Sequence, residues 1–158
     1  MEEMQKTTVN NELTVSFPED FTVLTREELQ QMYLDGSTDR WGIRNAPKHQ
    51  SAVIMWKKYA RPEIFLPDAE RIAYTNEGMM REGLKDYGYA LKGFFDAEVC
   101  GRTACGYDYE YTNQGIATHV KTVLFRHHSI VYSVSFYWRA SEEAPQEMIR
   151  EMLASIAF

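Results

Sequence analysis

The sequence predicts an α+β fold in which a mainly antiparallel sheet carries helices packed against it. Three observations predict this. Ser129 to Arg139, SIVYSVSFYWR, sets Ile130, Tyr132, Val134, Phe136 and Trp138 at alternate positions, the mark of a half-buried strand. Burial of each such side chain contributes about 1.5–3 kcal/mol, so this strand belongs at the centre of a sheet. Turn residues at Cys100-Gly101, Asn113-Gln114-Gly115 and His127-His128-Ser129 separate it from earlier strand-like runs, which describes an antiparallel meander. Two stretches, one from Pro67-Asp68 and one at Ser141 to Phe158, space their apolar residues by three and four. That is the period of helices lying on a core.

Taken in order, residues 1–11 are polar and read as a flexible tail, with one domain spanning 12–158. Leu13, Val15 and Phe17 alternate with Thr14 and Ser16 to give a short strand. Pro18-Glu19-Asp20 turns it, and Phe21 to Leu24 returns. Thr25 and Glu28 then form a capping box, with Leu24 and Leu29 at the staple positions and Gly36 placed to end the helix. Asp35 to Gln50 has the composition of a loop, although it carries Trp41, Ile43, Arg40 and Arg44. Ser51 to Tyr59, SAVIMWKKY, is a second long strand with both faces largely apolar, as expected where layers cover both sides of a sheet.

The helix from Pro67-Asp68 runs through Ala69, Ile72, Ala73, Asn76, Met79, Met80, Gly83, Leu84 and Tyr87, with Gly78 and Gly83 as weak points and Gly88 as its end. Tyr89 to Cys100 is a strand with an interruption at Gly93, followed by Ala104 to Thr112 and Ile116 to Arg126. The hairpin joining the last of these to Ser129–Arg139 has two open registers. A two-residue loop pairs Phe125 with Tyr132, and a three-residue loop pairs Leu124 with it. Met148, Ile149, Met152, Leu153 and Ile156 give the closing helix its apolar stripe behind Pro145.

Composition excludes several classes of function. The 158 residues are 44% hydrophobic and 13% aromatic, enough for a real core, and the net charge is −6. No concentrated basic patch is present to meet a nucleic-acid backbone or an anionic membrane, and no run is long and apolar enough to span a bilayer. The polar start, MEEMQKTTVNNE, has no apolar leader core, and the expected compartment is the cytoplasm. Cys100 and Cys105, spaced C-x4-C, are too few for structural zinc. They are two small semi-buried residues or, if a turn brings them together, a redox pair.

There is no GxSxG, HExxH, P-loop or GxGxxG sequence. His127-His128 sits in a turn, and His119 shares a strand face with Lys121. Asp108 and Glu110 lie two apart on one strand face, about 6.5–7 Å by strand rise, and read as a solvated sheet face. On the opposite face of that strand stand Tyr107, Tyr109 and Tyr111. Three amphipathic rings in a row could line a groove for a partner or apolar ligand, or lie under a helix with their hydroxyls at its rim. With Trp41 they form the candidate partner or ligand surface. No catalytic, cofactor-binding or metal-ligating set is expected.

The order of elements resembles a known family. LTVSFPEDFTVLT leads into a capped helix. A strand, a middle helix and a four-stranded meander with the turn GRTACGYDY follow, and SIVYSVSFYWRAS precedes a helix closing on SIAF. This is similar to the PsbP-like superfamily, which includes the extrinsic oxygen-evolving subunit of photosystem II, the Ran guanine-nucleotide release factor and short bacterial proteins. The resemblance covers about Glu12 to Phe158. It implies an α/β/α sandwich and a non-enzymatic domain, without cofactor, that docks on a larger protein partner. The expected function is therefore a non-catalytic protein-interaction or scaffold domain, a monomer or weak homodimer. The alternative is a small-molecule binding protein with its pocket between the sheet and residues 36–50.

Overall fold

In the computed structural model, residues 3–33 and 39–158 are described; Gly36, assigned above to a helix end, lies outside them. Leu24 to Leu29 behave as the sequence reading expects. The Thr25 side chain accepts from the Glu28 backbone N–H, and the Glu28 carboxylate accepts from the Thr25 N–H, starting α1 (Arg26–Met32). α2 (Ala69–Gly83) is capped by Asp68, whose side chain accepts from the Arg71 N–H, and α3 (Gln146–Ser155) follows Pro145. The strands are β1 (Met4–Val9), β2 (Leu13–Pro18), β3 (Thr22–Val23), β4 (Arg40–Asn45) and β5 (Gln50–Lys58). After α2 come β6 (Ala90–Val99), β7 (Arg102–Asn113), β8 (Ile116–His127) and β9 (Ile130–Arg139).

Seven strands form one sheet in the order β3-β4-β5-β9-β8-β7-β6, and every neighbouring pair is antiparallel. β9 is central, as its alternating apolar residues require. The β8–β9 loop has two residues, so Phe125 pairs with Tyr132 and their rings stack at 5.6 Å. The strand alternation sends Ala52, Ile54, Val123, Phe125, Val134 and Phe136 to one face, where β2 and α3 bury them with Leu13, Val15, Met148 and Met152. The other face carries Tyr107, Tyr109, Val120 and Leu124 under α2, and Val53 under Leu24 and Leu29 at the α1 end. The sheet is thus covered on both sides, one layer being helical and the other a β-hairpin with α3.

Three expectations are corrected. Residues 4–9, read as a tail, form β1 and pair with β2 from Met4↔Pro18 to Val9↔Leu13. Asn10 and Asn11 supply the left-handed conformations of the hairpin turn at φ 53° and 57°, a geometry that asparagine tolerates better than most residues. The segment Phe21–Leu24 does not return along β2; its Thr22 and Val23 pair with β4 instead. Residues 40–45, read as loop, are a strand that pairs from Arg40↔Met55 to Asn45↔Gln50, leaving Ala46–His49 as the turn. Gly42 suggested a loop but serves close packing: a Cβ there would meet Leu24 Cδ1 at 3.0 Å and the Ala52 carbonyl at 3.1 Å.

Candidate functional site

The structure separates the candidate residues named from the sequence. Trp41 stands on β4 and points to the hairpin side of the sheet, edge-on to Phe17 at 5.4 Å. Tyr107, Tyr109 and Tyr111 stand on β7 on the opposite side, their rings spaced 5.6 and 6.3 Å apart. Tyr107 is 0% and Tyr109 2% exposed, so they are core under α2. The Tyr107 hydroxyl donates to Asn76 Oδ1 of α2. Burial drives the ionisation of both phenols far upward, the neighbouring rings adding to it. Tyr111, half-buried at the far end of the row, faces open space, and an edge of Tyr109 borders it.

That space is a cleft of about 810 Å³ between α1 and α2, floored by the sheet. Its floor exists because β9 puts small side chains, Ser133 and Ser135, on the face opposite its large apolar ones. The Ser135 hydroxyl is satisfied by the Thr122 hydroxyl at 2.9 Å. Tyr33 from the end of α1 and Tyr137 from β9 close one side with their hydroxyls 2.7 Å apart. Burial pushes Tyr33 up to about 12, and Tyr137 well above an ordinary phenol, where Tyr33 adds to the effect. Met80 and Leu84 of α2 form the other wall. The Arg40 guanidinium lies 4.2 Å from the centre of the Tyr33 ring. Residues 40–50 line the cleft through Arg40, Arg44, Asn45, Ala46, His49 and Gln50, with 40–45 belonging to the sheet as β4.

Two charged clusters lie on the hairpin side. Asp108 and Glu110, read as a solvated pair, both grip His119: Nε2 is 2.9 Å from Asp108 Oδ1 and Nδ1 is 3.0 Å from Glu110 Oε2. The imidazole thus bridges the two carboxylates through both ring nitrogens. Its ring stacks on Trp138 at 4.5 Å, and Lys121 donates to the second Asp108 oxygen at 2.9 Å. The Asp108 carboxylate is therefore engaged by His119 and Lys121, and that of Glu110 by His119. His127, stacked 3.7 Å from Phe158, has its ionisation lowered by burial, with Arg102 and His128 contributing. Among the described residues, no three His, Cys, Asp or Glu side chains converge as metal ligands. Cys100 is an exposed free thiol in the β6–β7 turn, and Cys105 a buried one that burial pushes upward.

Sequence reasoning missed the α2 wall of the cleft and Arg139, which stands at its floor. A signal was present in the serines of SIVYSVSFYWR, since small polar residues on an otherwise covered face leave room above them.

No family model matches the chain, and no curated protein matches it. Solved structures do. The cyanobacterial PsbP (CyanoP) of Synechocystis sp. PCC 6803 superposes with a TM-score of 0.72 at 7% identity, over 99% of this chain and 93% of that one. A Bacteroides thetaiotaomicron VPI-5482 protein gives 0.60 at 11% identity, over 99% of this chain but 48% of its own. LpqN of Mycobacterium tuberculosis, described as involved in cell envelope biogenesis, gives 0.51 at 14% identity, over 99% and 92%. At these identities the likeness is one of architecture, and it agrees with the element order read from the sequence: the chain has the PsbP-like fold.

Proposed function

We propose that the chain is a non-catalytic binding domain whose ligand seat is the cleft between α1 and α2. The observation that carries this reading is the cleft itself. Its volume of about 810 Å³ falls within the roughly 300–1,000 Å³ usual for small-molecule sites. Aromatic and methionine side chains line it, with hydroxyls of Ser, Thr and Tyr placed among them. Such a surface holds a ligand by apolar burial and orients it by a few hydrogen bonds. The non-catalytic part of the proposal is supported by the mutual engagement of Asp108, Glu110 and His119 and by the Thr122–Ser135 hydroxyl pair on the cleft floor. A thermal-shift screen of small molecules tests the reading. Ligand at about 100 times its Kd adds roughly 2.7 kcal/mol, so hits that raise the melting temperature of the wild type and not of Thr118→Trp support it. A screen without such hits counts against it.

A second reading, docking on a protein partner, has its own observation. Ile64 and Phe65 are 84% and 68% exposed at the 3-10 turn Glu63–Phe65. The turn is tied at both ends, since Arg126 donates to the Leu66 carbonyl at 3.0 Å and Ser129 to the Arg61 carbonyl at 2.7 Å. A fixed apolar prong suits insertion into a partner's pocket. Replacing both by serine should abolish capture of a partner without changing the melting temperature; unchanged capture would set this reading aside.

A further inference from the structure

We propose that the ligand of the cleft is a small amphipathic anion, its acidic head taken at Arg139 and its aromatic or aliphatic body lying along Tyr111, Tyr137 and Met80. The inference rests on the reading of the cleft as a ligand seat and adds the chemistry of what sits there.

The charge of the cleft is opposite to that of the chain. The protein as a whole carries −6, yet no Asp or Glu lines the cleft among the described residues, while Arg40, Arg44, Arg139 and His49 do. These cations are not equivalent. Arg44 is held by Glu28 at 2.5 Å and His49 by Glu142 at 2.7 Å, both at the exposed rim. Arg40 packs on the Tyr33 ring. Arg139 is half-buried, and among the described residues no carboxylate lies within ion-pair distance of it. A guanidinium partly withdrawn from water and left without a counter-charge is stabilised by an arriving anion, which it grips through two parallel N–H donors.

Strand register puts Arg139 where a head group would need it. It follows Tyr137 on the same face of β9, pairs across to Thr118 of β8, and Thr118 in turn pairs with Tyr111 of β7. One row thus sets a guanidinium beside a hydroxyl and a phenol that hydrogen-bond to each other, all within reach of one oxyanion. The apolar part of the ligand then runs over Tyr137 toward Met80, away from solvent. A cation would meet only like charge in this row, and a neutral ligand would leave Arg139 unpaired.

Two dyes that share an anilinonaphthalene body but differ in charge test this: 8-anilino-1-naphthalenesulfonate, an anion, and N-phenyl-1-naphthylamine, which is neutral. Each is titrated by fluorescence into the wild type and into Arg139→Gln, with folding of both checked by near-UV circular dichroism. The expected result is saturable one-site binding of both dyes, with Arg139→Gln weakening the sulfonate about tenfold or more and the neutral dye hardly at all. On the wild type alone, raising salt from about 0.05 to 0.5 M should weaken the sulfonate and spare the neutral dye. This second measurement decides the matter if the variant does not fold. Equal salt response of the two dyes, or a sulfonate affinity untouched by Arg139→Gln, overturns the anionic head while leaving the cleft as a seat for neutral ligands. Failure of both dyes to saturate overturns the seat as well.

Discussion

Tyr107 has no exposed surface and gives its hydroxyl proton to Asn76 across the β7–α2 interface. Its role is to fasten α2 to the sheet, which fixes one wall of the cleft. Tyr107→Phe removes the donor and leaves the Asn76 oxygen short of a partner; a loss of about 1–2 kcal/mol in urea unfolding is expected. The phenols also set an alkaline limit. Tyr33, Tyr107, Tyr109 and Tyr137 all keep their protons to higher pH in the folded chain than an ordinary phenol near 10.0, Tyr33 up to about 12. Above about pH 10 the unfolded chain releases protons that the folded chain retains, so the free energy of unfolding falls as pH rises. These phenols add no pH dependence below about pH 10, and the stability they contribute should fall between there and about 12, with phenolate absorbance appearing in step with loss of structure. Phenolate appearing at pH 10 in an intact fold would contradict the burial of these rings.

At the scale of elements, β7 meets β6 and β8 closely at Gly106. A Cβ there would stand 2.4 Å from both Phe95 Cζ and the Thr122 carbonyl, and the carbonyl is backbone that cannot swing away. Gly106→Ala is therefore expected to cost about 1–3 kcal/mol, read from denaturant melts; a neutral result would show that the strands separate more easily than their packing implies. The same type of residue explains what was legible in the sequence. Glycines at Gly101 and Gly115, with φ of 72° and 79°, mark true turns, and the meander from β6 to β9 was read correctly from them. Gly42 mattered for the opposite reason, closeness to Leu24 and Ala52, and it disguised β4 as a loop. β1 escaped notice because Gln5 to Thr8 between Met4 and Val9 are all polar and half-exposed or exposed, so the pattern of a buried strand is absent. Its Asn10-Asn11 turn was the available signal.

For the molecule as a whole, the chain order of elements could be read locally, but the spatial order could not. β5 pairs with β9 across more than seventy residues of chain, and no local pattern encodes that choice. It follows from burying both faces of two central strands at once. The face beneath the hairpin depends on that closure: Leu13 and Val15 are fully buried, and Ala157 bridges to Thr14 to tie the C-terminal end to β2. Leu13→Ala should lower global stability by about 2–5 kcal/mol in one cooperative transition. A separate early transition would mean that the hairpin layer unfolds on its own. The cleft is likewise a whole-molecule product, since α1, α2 and the reverse face of β9 meet only after the sheet closes.

Titration of N-phenyl-1-naphthylamine, monitored by fluorescence, into the wild type and into Thr118→Trp tests the cleft most directly. Thr118 is half-buried on the cleft floor at a strand position that suits an aromatic ring, and Ser51→Trp fills the same space from β5 should the first variant be unstable. The account expects saturable binding to the wild type and loss of at least about tenfold in affinity in the filled variants, with melting temperatures preserved. Equal affinity in wild type and filled variants would contradict it.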